Sequence, residues 1–510
     1  MIQISVNRLL LLVCGFIIFF DNFVFWGKSF QRIDYFGIPG FGFFLSFFAL
    51  FFVLLYLILL LFSNKYMLKI FLSIVLLTSA IISYFSELGV VFDQFMLTNI
   101  IDNIKEQNTR EALELLSISL IIHIGIFAFI PILLLWLVKI KRQTFFIESR
   151  NRILTTIGVI VVCTIVIWSN MKYLTYFSRE NLDLKYFINP LFVIDSGVKY
   201  TKKNYFPNKK EKFKVIGDDA VISDIKKQKT VGIFIVGETA RADRFSLNGY
   251  KKLTNPRLEK QKMMNFSNVS SCGTSTAYSV PCMFSLLGKD DYSPQKADNQ
   301  SNVLDILHKA GVKVFWLDNN STCKGACARV ENKNIFSQGK FDISMLDNLK
   351  SYIDNQKSDV LVVLHSLGSH GPKYYKRYPQ AFEIFTPVCN STPEECTNIE
   401  VNNAYDNSIL YTDYLIDSTI KLVKKNYPNS FVFYASDHGE SLGEKGVYLH
   451  SLPYIIAPKE QTHVPMLAWF SDERSGSISQ PLSHDNISHS LLGLFKVKTE
   501  VYDKTLDLFR

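Results

Sequence analysis

The sequence predicts a membrane-anchored α/β protein, with five transmembrane helices followed by a soluble domain built on a parallel sheet with crossover helices. Three observations predict it. Long uninterrupted apolar stretches fill the first 170 of the 510 residues, whereas the remainder has the composition of an ordinary soluble domain. From about Lys229 onward, strand-length apolar runs alternate with helical patterns such as Asn302 to Ala310 and Asn403 to Lys425, which indicates βαβ crossovers. Four of those runs end in polar residues, and open α/β sheets bind their ligands outside the carboxyl ends of the strands.

The membrane part comes first in the chain. Five stretches, about 8 to 26, 41 to 63, 67 to 86, 117 to 138 and 153 to 170, lie close to the roughly 20 residues a bilayer requires. The first is too long and aromatic for a cleaved signal peptide, carries Asp21 within it, and is followed by no small-residue cleavage site. The connection after the fourth contains Lys139, Lys141, Arg142, Arg150 and Arg152 against Glu148, so it is expected in the cytoplasm, as are Lys65 and Lys69. Five spans then put everything after about residue 171 outside the cytoplasm.

Residues 87 to 116 face the same side; Asp93 to Asn99 and then Asn108 to Glu111 mix apolar and polar residues at helical spacing, as an interfacial helix does. Residues 171–228 are polar and Lys-rich, with breaks at Asn189-Pro190 and Phe206-Pro207-Asn208, and read as a linker with interfacial helices. The soluble domain is expected to span 229–510, a size at which a single α/β domain is reasonable.

Cysteine placement tests this topology independently. Of eight cysteines, Cys14 and Cys163 fall in apolar spans, and the other six form close pairs: Cys272 with Cys282, Cys323 with Cys327, and Cys389 with Cys396. Local disulfides in an oxidising compartment are the simplest reading, and the spacing does not make two CxxC zinc knuckles. The formal charge of +9 is modest for this length and suits topology and anionic lipid surfaces. No RNA- or DNA-reading motif is present, which excludes nucleic-acid binding as the main function. The absence of GxxxxGK[ST] argues against nucleotide hydrolysis.

The four run ends carry the chemistry. Phe431 to Ala435 leads into Ser436-Asp437-His438-Gly439-Glu440, Val231 to Val236 into Gly237-Glu238-Thr239-Ala240-Arg241, Val360 to Leu364 into His365 and Ser369-His370-Gly371, and Val312 to Leu317 into Asp318-Asn319-Asn320. Glu238, Asp437 and His438 are metal-ligand candidates, and mixed oxygen and nitrogen donors suit Zn²⁺ or Mn²⁺ better than Mg²⁺ or Ca²⁺. Each alone would more often be a capping or ion-paired residue; convergence at strand ends favours a metal.

The hydroxyl-rich run Cys272-Gly273-Thr274-Ser275-Thr276-Ala277-Tyr278-Ser279-Val280-Pro281-Cys282 precedes a helical stretch. It offers a nucleophile at a helix N-terminus, where backbone N–H groups favour phosphate and a metal-bound hydroxyl loses its proton near neutral pH. Position alone does not separate Thr274, Ser275 and Thr276. His370 and His450 are candidates for phosphate contact or general acid work, and Lys324 for pairing with a phosphate. His123, His308, His463 and the other histidines are read as structural.

Taken together, the motifs around Glu238, Cys272 to Cys282, Ser369-His370-Gly371-Pro372 and Ser436 to Ser441 closely resemble the lipid A phosphoethanolamine transferases. That group includes the mobile colistin-resistance enzymes and belongs to the alkaline phosphatase and sulfatase-like superfamily. The resemblance covers essentially the whole chain. It implies a five-pass protein of the bacterial inner membrane, with a periplasmic alkaline phosphatase/sulfatase-like α/β/α sandwich. It also implies that Thr276 is the nucleophile and that Glu238, Thr276, Asp437 and His438 hold a catalytic zinc.

By the same resemblance, His370 and His450 lie near the substrate phosphate or a second zinc, Asn320 and Lys324 belong to a substrate-contact loop, and the three cysteine pairs are disulfides. Asn99 and Glu111 fall where the family's periplasmic loop approaches lipid. The implied reaction transfers phosphoethanolamine from phosphatidylethanolamine to Thr276 and then to a lipid A phosphate or related lipopolysaccharide acceptor, which would weaken binding of polymyxins and other cationic peptides.

Three other readings compete. Sulfatases need C/S-x-P-x-R, but Cys282 is followed by Met283-Phe284-Ser285. A phosphoglycerol transferase of the lipoteichoic acid synthase type has similar spans and a threonine nucleophile, yet the extracytoplasmic cysteines and the Cys-Gly-Thr-Ser-Thr run favour phosphoethanolamine. A non-catalytic membrane-anchored sensor predicts lost ligands, and all four are present. No coiled-coil signal appears, so a monomer is expected.

Overall fold

The computed structural model describes residues 3–33, 40–59, 65–105, 115–141, 144–170, 177, 181–205, 212–223 and 228–510. The chain divides into two compact units, Met1–Thr98 with Leu116–Pro207 and Asn99–Leu115 with Asn208–Arg510.

The first unit is helical. Tyr66–Glu87, Ile118–Leu137 and Phe146–Ser169 are, among the described residues, the helices long and apolar enough to cross a membrane. Only 17% and 6% of the apolar windows of the last two are buried in protein, so their outward faces are matched to lipid rather than water. In Ile118–Leu137 the helix widens into a π turn over Gly125–Phe129 just before Pro131, whose nitrogen has no hydrogen to donate to the ladder.

The expected five spans are not all present at that length. The first predicted span is two helices, Val6–Phe20 and Phe23–Ile33, bent by 61°. The break falls at Asp21-Asn22, where the Asp21 carbonyl and the Asn22 side chain accept hydrogen bonds from an asparagine far along the chain. Asn189 donates its backbone N–H to Asn22 Oδ1 (2.8 Å) and its amide to the carbonyls of Asp21 (3.0 Å) and Ser79 (2.7 Å). Counted as one span, the bent pair makes a fourth. The second predicted span is the helix Gly40–Leu59, whose apolar stretch Phe44–Leu59 is shorter than a span; the predicted residues 60 to 63 lie outside the described residues.

The second unit is built on a sheet of nine strands: β1 (Val231–Gly237), β2 (Met263–Ser270), β3 (Lys313–Asp318), β4 (Glu331–Asn334), β5 (Val360–His365), β6 (Ser430–Ser436), β7 (His463–Phe470), β8 (Gly476–Ile478) and β9 (Leu482–Ser483). Its order is β8-β2-β7-β6-β1-β5-β3-β4, with β9 also on β2. From β6 to β4 every pairing is parallel, while β7 runs antiparallel to both β6 and β2. The sheet is therefore mixed rather than wholly parallel. The reversed strand β7 and, past it, β2 lie beyond the crossover core, and β2 reads poorly because Asn265, Ser267 and Asn268 interrupt its apolar pattern.

Both faces of the central strands are buried, which is why they read as unbroken apolar runs. Phe234 and Val236 share one core with Val280, Met283, Leu304 and Leu491, from the helices Thr276–Met283, Val303–Lys309 and Asp485–Leu494. Ile233 and Ile235 face the other core, with Ile409, Leu415 and Ile420 of the helix Asn398–Asn426. The register pairs Val236 with His365, Asp318 with His365 and Gly237 with Ser436, so four parallel strands end together along one edge.

Candidate active site

That edge assembles the site. Glu238 leaves β1 and Asp437 leaves β6, two strands hydrogen-bonded to each other, and His438 follows directly. Glu238, Asp437 and His438 are fully buried, with one ligand-type atom from each lying within 4.8 Å of the others. The turn after Glu238 is strained, since the β-branched Thr239 has φ 52°. Tyr405 of the long helix holds it by donating its hydroxyl to the Thr239 carbonyl (2.6 Å) and accepting the Arg241 N–H (3.0 Å).

The helix Thr276–Met283 brings the hydroxyl run to this cluster, braced by the disulfide Cys272–Cys282. Its three candidate hydroxyls differ in use. Thr274 donates to the Leu452 carbonyl (2.6 Å), and Ser275 occupies the N-cap without a side-chain cap bond. Thr276 Oγ1 lies 3.2 and 3.1 Å from the two Glu238 oxygens and 3.4 Å from His438 Nε2. Below it, Ser279 donates its hydroxyl to the Asp437 carbonyl.

The electrostatics are those of a cation site. Glu238 and Asp437 are both held above the usual carboxylate range, first by burial and, for Glu238, next by the Asp437 charge. His438 is pushed down to about 4 by burial and then by His450, so its ring is neutral and able to ligate. Among the described residues neither carboxylate is ion-paired with a lysine or arginine; the ionisable base within reach of both is His438, at 3.4 Å. Asp437 Oδ2 is buried with no hydrogen-bond partner. Two carboxylates, a neutral imidazole and an orphaned oxygen fit a divalent transition ion.

The remaining predicted residues are spread more widely. Asn320 is buried and donates its amide to Glu238 Oε2 (2.7 Å) and to the Ser366 carbonyl (3.0 Å), so it fixes the glutamate. The His450 ring lies tilted 4.4 Å from His438 and edge-on 5.4 Å from His370, ring centre to ring centre, and its Nδ1 lies 3.1 Å from Glu440. Lys324, at φ 50°, lines a cavity of about 140 Å³ with Pro281, Asp298 and Arg329 that none of the four cluster residues borders. Asn99 lies in the helix Gln94–Lys105, and Glu111 lies outside the described residues. The disulfides Cys323–Cys327 and Cys389–Cys396 are formed, and Cys14 and Cys163 are free and buried.

Two buried histidines were not singled out by sequence reasoning. His365 Nδ1 lies 3.1 Å from Asp318, which also accepts the Trp316 indole N–H, while its Nε2 has no hydrogen-bond partner. Burial alone would lower its pKa, but the carboxylates of Asp318, Glu238 and Asp437 together raise it. Its signal was position, since it closes β5 beside Asp318. His484 accepts the Cys272 N–H at Nδ1 (3.1 Å) and donates from Nε2 to the Ser436 carbonyl (2.9 Å), tying the hydroxyl loop to the strand that carries Asp437. No local pattern marks it, because both partners are distant in sequence.

The family described as Sulfatase matches residues 230–497, and that described as phosphoethanolamine transferase EptA/EptB matches residues 51–205. The chain is 38% identical over 455 residues to phosphoethanolamine transferase EptA of Escherichia coli K12, covering 83% of this chain and 81% of that protein. It is 37% identical over 475 residues to phosphatidylethanolamine transferase Mcr-1 of Escherichia coli, covering 87% and 86%. The full-length integral membrane lipooligosaccharide phosphoethanolamine transferase A of Neisseria meningitidis superposes with a TM-score of 0.90 at 30% identity, over 99% of this chain and 98% of that one. With catalytic and membrane parts both matched at these identities, the chain belongs to the lipid A phosphoethanolamine transferase family.

Proposed function

We propose that the protein transfers phosphoethanolamine from phosphatidylethanolamine to a lipid A phosphate or a related lipopolysaccharide acceptor, with Thr276 as the nucleophile. The observation that carries this reading is Thr276 Oγ1, set 3.1 to 3.4 Å from Glu238 and His438 in a buried cluster without a lysine or arginine partner. The activities for which the Escherichia coli relatives are named support the same reaction.

Glu238, Thr276, Asp437 and His438 would hold a zinc ion, and His370 and His450 would contact the substrate phosphate or a second zinc. The chemistry zinc supplies when bound there is a lower hydroxyl pKa and neutralisation of phosphate oxygens. The chain's own residues do the rest. Thr276 Oγ1 attacks phosphorus, the phosphorus–oxygen bond to diacylglycerol breaks, and diacylglycerol leaves with the proton. An acceptor phosphate oxygen then attacks the same phosphorus and frees Thr276. Asn320 keeps Glu238 oriented through both steps, Ser279 and His484 hold the Asp437 loop, and Asn320 and Lys324 with Asn99 and Glu111 would meet the lipid substrates.

This reading places the enzyme in the bacterial inner membrane as a five-pass monomer, with residues 1–170 in the bilayer, 171–228 as linker and 229–510 as the periplasmic catalytic domain. The added ammonium group lowers the negative charge of the surface and with it the affinity for polymyxins. Mass spectrometry of lipid A from a Gram-negative host tests it. The intact chain should add phosphoethanolamine and Thr276→Ala should not; if the intact chain leaves lipid A unmodified, the acceptor assignment is wrong.

A further inference from the structure

We propose that the loop of residues 453–457 docks the catalytic unit onto a phospholipid surface, its tip entering the boundary between headgroups and acyl chains. This rests on the reading of the site as a transferase with lipid substrates. Ile455 is 85% exposed, more than any other large apolar side chain among the described residues, and Tyr454 beside it is 37% exposed. The two side chains are adjacent at the tip, and the backbone that carries them is held in place. The N–H groups of Ile456 and Ala457 both donate to the Pro453 carbonyl, at 2.9 and 3.0 Å.

The stem of the loop is tied to both reacting strands of the site. On one side Ser451 N–H donates to the Thr274 carbonyl (2.8 Å) and the Thr274 hydroxyl returns a bond to the Leu452 carbonyl (2.6 Å), two residues before Thr276. On the other, Leu452 N–H donates to Gln461 Oε1 (3.3 Å), and the Gln461 carbonyl accepts the N–H of Gly439, next to His438 (2.9 Å). Whatever the tip binds is thereby held in register with the nucleophile. Lys289 completes the fit, its ammonium 3.4 Å from the centre of the Tyr454 ring. An aromatic and a branched aliphatic side chain with a lysine at their base match the layered chemistry of a bilayer surface. Exposed Lys459 is offset by Glu460, and Lys289 by Asp290, so apolar contact rather than net charge leads the binding.

The test uses the full chain in phosphatidylethanolamine–phosphatidylglycerol vesicles, with Cys14→Ala and Cys163→Ala as background. A nitroxide attached through Ile455→Cys should relax faster with oxygen than with a water-soluble nickel complex. One attached through Ile384→Cys, at a residue 63% exposed in the same unit, should do the reverse. Aqueous behaviour at both positions overturns the proposal, as does protection of position 455 from both reagents, which would mean a protein partner. In the same vesicles Ile455→Glu should raise KM for phosphatidylethanolamine about 10-fold with kcat unchanged. Turnover of a soluble short-chain donor should be unaffected, and equal loss on both donors overturns the proposal. If the intact chain transfers from neither donor, the function assigned above fails while the nitroxide result still decides the docking.

Discussion

Two buried polar clusters in the second unit handle charge in opposite ways. On the helix Asn398–Asn426, Asp406 accepts bonds from Tyr250 (2.9 Å) and Lys252 (2.6 Å) and lies 3.5 Å from Arg244. Further along, Asp413 accepts from the backbone N–H groups of Arg257 (3.2 Å) and Leu258 (3.0 Å) and from the Arg257 side chain. Across the sheet edge, Glu238 and Asp437 share one neutral histidine and a hydroxyl. The difference teaches how to separate charges that hold a fold from charges kept for chemistry. The first kind arrives with its cation in the sequence, and the second leaves that place open for one from solution.

The strongest way to break this contrast is Thr276→Ala. It should lower phosphoethanolamine transfer at least about 10³-fold while leaving the thermal midpoint of the purified chain nearly unchanged, because no cation or core contact is lost. Asp406→Ala should do the opposite. It strands Lys252 and Arg244 and should cost about 3 kcal/mol in unfolding measurements, with transfer per folded molecule retained. Glu238→Gln sharpens the comparison. In chelator-treated protein, removing one of two crowded carboxylates should leave the unfolding free energy equal or raise it, by about 1 kcal/mol, while in zinc-loaded protein the bound zinc measured by atomic emission disappears. A drop as large as that of Asp406→Ala would show that Glu238 is a structural charge after all.

The smallest effect concerns pH. Burial, only partly offset by the Leu258 N–H and Arg257, pushes Asp413 up to about 6 from an ordinary 3.8. The folded protein therefore holds this proton more tightly than the unfolded chain does. The resulting stability is fully present below about pH 4 and is lost as pH rises through about 6. Asp413→Asn should flatten that part of the stability profile, measured as the unfolding midpoint across pH 4 to 7.

The strand ends and the polar residues that cluster there were legible because burial on both faces writes an unbroken apolar run, and a run that stops on Asp-His or Gly-Glu announces its carboxyl end. The antiparallel β2 was not legible. Its residues Asn265, Ser267 and Asn268 look like loop, and its place is set by pairing with β7 and β8. Hydropathy also hid the bend at Asp21-Asn22, since the Asp21 carbonyl and Asn22 Oδ1 accept hydrogen bonds from Asn189, more than 160 residues away. Among the hydroxyls, sequence left Thr274, Ser275 and Thr276 equal. Which one faces the carboxylates depends on the pitch of a helix fixed by contacts with β1 and the helix Asp485–Leu494, and no local pattern encodes that. His484 was invisible for the same reason.

Gly439 lets the loop behind the site come unusually close, for a Cβ there would overlap the Glu460 carbonyl. The residue that follows His438 and the segment that follows the 453–457 loop thus meet across a single hydrogen atom. For anyone diversifying the enzyme, this makes position 439 a fixed point: the loop tip can be redesigned for another surface, while even alanine at 439 would act as a wedge between recognition and reaction.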